Sequence, residues 1–263
     1  AGVETVVRLG RTVGDDLFAL GLHPTAMFGT VGAAVAAART AGADEATLED
    51  AVGLAALQAS GAMTGFGSVG KPWQVGEAAR KGMIAAAAAP QVPVHLPEQL
   101  SGPRGVLTLL ARRSDPPVLG ETRWSPAVAG TQFKSYASCF GTHAAIDAAR
   151  SLRDGVGDAG DIAGVEILVG PEFEEVVINP APTTELGAKF SVSSVVALTL
   201  LGSPPITEGF FDAVRASDAY RRIEAATTAR ADAGVAGAGA VVRVRTTSGR
   251  TLEAVRDEQD PLP

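Results

Sequence analysis

From Val3 to Leu20 the apolar residues Val3, Val6, Val7, Leu9, Val13, Leu17 and Leu20 recur at three- and four-residue spacing, which predicts an amphipathic helix ending at Gly21. Pro24 and Thr25 open a second, almost uncharged segment, AMFGTVGAAVAAARTAG. Its Gly29, Gly32 and Ala33 suit a helix pressed against neighbours and buried nearly all round, with Gly42 as its stop. Thr47-Leu48-Glu49-Asp50 reads as a capping-box-like start for a third helix through LEDAVGLAALQASGAM, ended by the glycines of TGFGSVG. A fourth is expected from Gln74 or Val75 to Ala89, where Pro90, Pro93 and Pro97 forbid continuation. Roughly the first hundred residues therefore read as all-helical.

After a shorter helix around 103–112, the Pro/Gly-rich connector DPPVLGETRWSPAVAG reads as a domain boundary. The pattern then changes. It predicts a helix over THAAIDAARSLRD, a strand at VEILVG, a helix over AKFSVSSVVALTLLG and another starting near Thr207. AVVRVRTT and RTLEAVRD alternate apolar and polar positions about Ser248-Gly249, as the two arms of a hairpin do. We therefore expect a mainly α protein, with a helical domain over 1–130 and a smaller α+β domain over 131–263, and without internal repeats.

Composition narrows the function classes. Lys and Arg number 22 against 29 Asp and Glu, for a net charge of -7 and a pI near 5.0. That sign argues against nucleic acid and against anionic membrane surfaces as partners. Aromatics make up only 5% while Gly numbers 31, so the apolar fraction rests on Ala, Val and Leu. The lone Cys139 and the histidines His23, His95 and His143 have no metal-ligand spacing, so no metal site is expected. With no signal-peptide pattern and no unbroken apolar span, a cytoplasmic, reducing-compartment protein is expected.

Reactive side chains gather in three glycine-bounded segments. In GLHPTAMFGT, Pro24 pushes His23 to extended backbone and holds its ring at a helix entrance. In GFGSVGKPWQVGEAARKG, Lys71 precedes an expected helix start, a corner suited to an anion such as a carboxylate, the plainer alternative being a solvated surface lysine. TQFKSYASCFGTHAAIDAA places Lys134, Tyr136, Cys139, Thr142 and His143 close together: lysine to bind an anion, Tyr or His to move a proton. Cys139 reads as a small buried hydrophobe rather than a nucleophile, and His95, between prolines without polar company, as structural.

Together these stretches, with the SGPRG turn and AKFSVSSVVALTLL, occur in the order seen in the MmgE/PrpD family, which the chain resembles over most of residues 1–203. That family includes 2-methylcitrate dehydratase, cis-aconitate decarboxylase and iminodisuccinate epimerase. The resemblance implies a helical domain with a smaller α+β lid, a homodimer, no cofactor, and proton or carboxylate removal beside a carboxylated carbon. It assigns His23, Lys71, Lys134 and His143 to catalysis. Lys71 and Lys134 would also hold substrate carboxylates, with Gln74 and Phe173 lining the substrate site. Gln74 stands where many members have histidine in Lys-x-x-His, and Phe173 near a position where the decarboxylase has a tyrosine.

The family's N-terminal and C-terminal helices have no counterpart in this stretch, so the chain is expected to be the middle of a larger architecture or to be completed by a second chain. Two further readings stand beside a lyase or isomerase. One is a repurposed cyclase or isomerase of specialised metabolism, motivated by Gln74 and Phe173. The other is a non-catalytic subunit, motivated by the absent helices.

Overall fold

In the computed structural model the chain divides into two compact units, residues 1–132 and 133–263. The structure describes residues 1–93, 99–100, 102–110, 134–205 and 216–257. His95, the connector DPPVLGETRWSPAVAG and the expected helix start near Thr207 lie outside these residues.

The first unit is helical: α1 (Gly2–Ala19), α2 (Pro24–Thr40), α3 (Glu45–Ala56), α4 (Gly70–Ala88) and the short α5 (Val106–Leu110). Helix α1 buries Leu9, Val13 and Leu17, one turn apart, whereas Val3 is 71% exposed and takes no part in the stripe. These residues meet Met27, Phe28 and Val31 of α2 and Leu107 of α5 in one core. Each such side chain contributes roughly 1.5–3 kcal/mol on burial.

Close backbone approach sets how the helices pack. A Cβ on Gly32 would stand 2.5 Å from Val6 Cγ2, and one on Gly2 would stand 2.5 Å from the Gly32 carbonyl oxygen, so α1 and α2 cross glycine to glycine. Gly82 of α4 lies equally close to Thr30 and Ala33 of α2. Buried Thr30 satisfies its hydroxyl on the Ala26 carbonyl one turn back.

Two helix starts differ from expectation. Helix α3 begins at Glu45, two residues before Thr47, because Asp44 caps it, its carboxylate accepting the Thr47 N–H at 2.9 Å. It ends at Ala56, short of the glycines, and residues 57–69 form a loop with a 3-10 turn at Met63–Gly65. Helix α4 begins at Gly70 rather than Gln74. Pro72, which reads as a breaker, sits in the first turn, where its missing N–H would have had no helical partner.

The second unit holds α6 (His143–Val156), β1 (Ile162–Val169), the short α7 (Glu174–Val177) and α8 (Glu185–Ala188), α9 (Val192–Leu200), α10 (Asp218–Ala225), β2 (Thr227–Ala231), β3 (Ala240–Thr246) and β4 (Thr251–Arg256). The mixed sheet runs β2-β1-β3-β4, with β1 parallel to β2 (Val165 opposite Thr227) and antiparallel to β3 (Ile167 opposite Val242). The hairpin β3–β4 turns at Ser248-Gly249, with Gly249 at a φ of 85°.

One expected helix is broken in two. Ser191 accepts the Ser194 N–H and thereby starts α9 afresh at Val192, leaving α8 as a separate turn. Strand β2, TTARA, has no strong strand pattern and was not expected. Helices α6 and α9 pack on one face of the sheet, over Val165, Ile167, Val242 and Val244. The other face carries a charged row: Arg243 pairs with Glu166 at 2.8 Å and Glu253 at 2.5 Å, and Arg230 reaches Glu166 at 3.3 Å. Hydrogen bonds from Arg243 hold the Glu166 carboxyl below the usual carboxylate range. Such exposed pairs are screened by solvent and salt and contribute little to stability.

The glycine contacts give a prediction of opposite signs. Gly82→Ala should destabilise the protein by about 1–3 kcal/mol through overpacking against α2. Gly14→Ala, in the interior of α1 with nothing within 4 Å of a new Cβ, should stabilise it by about 0.4–1 kcal/mol. Urea denaturation midpoints of the two variants check both.

Candidate functional site

Each unit carries its own cluster of the residues singled out from the sequence. In the first unit, residues 21–23 run antiparallel to 61–63: Met63 N–H donates to Gly21 at 2.8 Å, His23 N–H to Gly61 at 3.2 Å, and Leu22 bridges Ala62. Gly21, at a φ of 73°, ends α1 and turns the chain into this ladder. His23 is the N-cap of α2 in extended geometry, followed by Pro24 in the first turn.

Gln74, one turn into α4, completes the ladder. Its Oε1 accepts the Ala62 N–H at 2.7 Å and its Nε2 donates to the Ala62 carbonyl at 3.0 Å, so the amide pairs with Ala62 as a strand neighbour would. Glycines make room for it: a Cβ would stand 3.0 Å from Oε1 at Gly61 and 2.5 Å from Nε2 at Gly65. Lys81, further along α4, donates to Ser60 Oγ at 2.7 Å and ties the same loop a second time.

His23 is only 2% exposed, and among the described residues its Nδ1 has no hydrogen-bond partner. Its ring meets the edge of Phe66 at 5.0 Å between centroids and 84° between planes. Phe66 also carries Lys71, whose Nζ lies 4.2 Å from the ring centroid. Lys71 is the second residue of α4, so its charge adds to the positive end of the helix dipole. Burial chiefly, and the Lys71 charge next, hold the His23 imidazole below its ordinary value of 6.5; a hydrogen bond with Gln74 works the other way. A neutral buried imidazole beside a cation can exchange a proton while the cation stabilises the anion that results.

Leu22 sits one residue away on the ladder, hence on its opposite side. It contributes to an open, largely apolar groove of about 340 Å³, shared with Met27, Ala59 and Leu109.

The second unit repeats the chemistry with different supports. His143 is the first residue of α6 and is 8% exposed. Among the described residues its Nε2 has no hydrogen-bond partner. Tyr136 meets the ring edge-on at 5.2 Å, and Phe140 lies 5.5 Å from it. Burial first and the Lys134 charge second lower the His143 pKa from 6.5.

Lys134 Nζ donates to the Ser138 carbonyl at 3.1 Å. Thr142, the N-cap, spends its hydroxyl on the Cys139 carbonyl at 2.7 Å rather than on the helix. Cys139 is buried, its N–H on the Lys189 carbonyl at 2.7 Å. Phe173, from the 3-10 turn after β1, lays its ring over Gly141, where a Cβ would stand 2.8 Å from Cε1.

The structure thus groups His23, Lys71 and Gln74 within one unit, and Lys134, His143 and Phe173 within the other. Phe66 was missed by sequence reasoning, although an aromatic inside a glycine loop between a histidine and a lysine is a usable signal. Tyr136 was noticed as a possible proton carrier. Its hydroxyl is instead occupied, donating to Asp147 Oδ1 at 2.5 Å and accepting from Arg150 Nη1 at 2.8 Å. Burial and the Asp147 bond push its pKa up. Among the described residues no three His, Cys, Asp or Glu side chains gather as a metal site would require, and no helix is long and apolar enough to cross a membrane.

Both imidazoles titrate lower in the folded state than in the unfolded chain, so the unfolded chain takes up protons first as pH falls. Their contribution is full above 6.5 and is lost as pH drops through 6.5 toward the depressed folded values. Urea midpoints measured from about pH 7 to about pH 5 should therefore decline. The decline should be shallower in His23→Asn.

Comparison with known proteins gives two family matches in chain order. Residues 1–117 match the MmgE/PrpD N-terminal domain, and residues 136–260 match the MmgE/PrpD C-terminal domain. Cis-aconitate decarboxylase of Aspergillus terreus, and the same enzyme from strain NIH 2624 / FGSC A1156, are each 36% identical over 85 residues. That stretch covers 32% of this chain and 17% of each relative's length. With both domain models matched in sequence and in order, the chain belongs to the MmgE/PrpD family.

Proposed function

We propose that the chain serves a lyase or isomerase reaction on a small carboxylated substrate, without metal or organic cofactor, in which a proton is moved at a carbon beside a carboxylate. The observation that carries this reading is the buried His23 imidazole, its Nδ1 unpartnered, sharing the Phe66 ring with Lys71. Family membership, and the similarity to a decarboxylase of a tricarboxylic acid, support the substrate class.

In this mechanism His23, kept neutral by burial, acts as general base or acid. Lys71, with the α4 N-terminus behind it, holds a carboxylate and stabilises the enolate-like charge that builds when the proton leaves. Of the residues in the second unit, Lys134 is proposed to hold a carboxylate and His143, its Nε2 unpartnered, to transfer a proton. Phe173 contributes shape to the substrate pocket. Gln74 acts through the Ala62 loop, to which both ends of its amide are bonded. The active assembly is proposed to be a cytoplasmic homodimer, which light scattering of the purified protein would test.

A second reading rests on Gln74, a residue without a titratable group in the Lys-x-x-Gln stretch of α4. There the scaffold would serve an isomerisation or cyclisation guided mainly by pocket shape. A panel of cis-aconitate, 2-methylcitrate and non-carboxylated analogues separates the two, since turnover confined to the acids supports the first.

On the accepted acid, His23→Ala and Lys71→Ala should each lower kcat/KM by about 10²–10⁴-fold, with the fold retained by circular dichroism. Full turnover in both variants would refute the roles assigned to them.

A further inference from the structure

We propose that Gln74 is the positioning residue for His23 and Lys71: its amide completes a backbone ladder on the far side of Ala62 and thereby fixes the loop that seats Phe66 between base and cation. The proposal rests on the reading of His23 and Lys71 as a working pair, but the ladder itself is tested without turnover.

Residues 61–63 have partners on both sides. Toward residues 21–23, the His23 N–H donates to Gly61 and the Met63 N–H to Gly21, the two bonds that flank the Leu22 and Ala62 bridge. In that antiparallel pattern the N–H and C=O of Ala62 point the other way, where they would lack a partner. Gln74 fills both, its Oε1 accepting the Ala62 N–H at 2.7 Å and its Nε2 donating to the Ala62 carbonyl at 3.0 Å. A side-chain amide suits this place because it carries an acceptor and a donor side by side, as a peptide does. A carboxylate at neutral pH could only accept. The glycines at 61 and 65 leave the space that the amide occupies.

The clamp acts where helix packing does not. Gly29 of α2 meets Ala78 of α4, and Gly82 meets Thr30 and Ala33, so the two helices run side by side in the same direction. Their N-termini therefore share one end, and His23 and Lys71 sit there, as N-cap of α2 and second residue of α4. At that end Gln74 ties α4 to Ala62, and the ladder ties Ala62's neighbours to residues 21–23. Met63 then accepts the Phe66 N–H at 2.8 Å, which carries the constraint to the ring that both His23 and Lys71 touch. Lys81, two turns beyond Gln74, repeats the tie at Ser60. Lys71 is held by α4 itself, whereas the His23 ring is seated through the clamped loop. Loss of the clamp should accordingly misplace the base more than the cation.

Amide hydrogen exchange and steady-state kinetics test this together. Gln74→Met keeps the length of the side chain and loses both bonds. It should lower the protection of the Ala62, Met63 and His23 amides about tenfold, while amides in the middle of α2 and α4 keep theirs. Gln74→Glu, which sets a carboxylate against the Ala62 carbonyl, should do the same at neutral pH. On the accepted acid both variants should lower kcat by about 10–100-fold, with KM moved by no more than about threefold because Lys71 stays on its helix. Lys81→Met, which removes the tie to Ser60, should loosen the same amides by less, and it decides the matter if neither Gln74 variant folds. Unchanged protection at those three amides in a folded Gln74 variant, or in Lys81→Met should neither fold, would overturn the proposal. So would an equal loss across α2 and α4, which marks general destabilisation, or a raised KM at unchanged kcat. If the ladder loosened as expected while His23→Ala kept full turnover, the functional reading of His23 would fall and the positioning of its ring would stand.

Discussion

A buried imidazole nitrogen with no partner is expensive, on the order of 1–3 kcal/mol against its hydrated state, and this protein holds one in each unit. Much of the surrounding structure can be understood as what makes that tolerable. At His23 the cost is confined because the backbone on either side is fully bonded: the ladder to Gly61 and Met63, the Gln74 amide on Ala62, and the edge of Phe66 all fix the ring without occupying Nδ1. At His143 the Tyr136 and Phe140 rings wall the imidazole and leave Nε2 unoccupied. A buried polar atom left unsatisfied by packing is uncommon in native structures and is often the mark of a working site.

The same economy appears in the helices. With few aromatics to fill space, the first unit gains its core from backbone proximity, at Gly2 against Gly32 and Gly82 against Thr30. Close packing of this sort leaves α4 little freedom to slide on α2. That matters chemically, because α4 is the element that presents both Lys71 and Gln74. A shift of one helix would move the cation and the loop clamp together.

Much of this was legible in the chain, and the failures have physical causes. The four-residue spacing of Leu9, Val13 and Leu17 announced α1, and the small uncharged run announced α2. The start of α4 was hidden because Pro72 signals a break and a first turn alike. Strand β2 was hidden because its pattern is short and half-exposed, and only its parallel pairing with β1 makes it a strand. For the site, glycine-bounded loops pointed to His23, Lys71, Lys134 and His143 as residues. The contacts between them were not readable. Phe66 joins His23 to Lys71 across more than forty positions of chain, and no local pattern encodes a meeting at that distance. Gln74 was placed by its spacing from Lys71, whereas its role in the structure is set by Ala62, which precedes it.

The strand order has a consequence for how the second unit is made. Strand β1 is flanked by β2 and β3, and both come after it in the chain. On a growing polypeptide, α6 and β1 emerge with nothing to pair against until Thr227 and then Thr246 have followed. Through that interval β1 is a bare apolar strand with two open edges, the state in which chains most readily capture one another. The hairpin β3–β4, by contrast, is local and can close by itself. Assembly of this unit therefore waits on its last strands, and a truncation that removed them would expose Val165, Ile167 and Val169 rather than merely shorten the sheet.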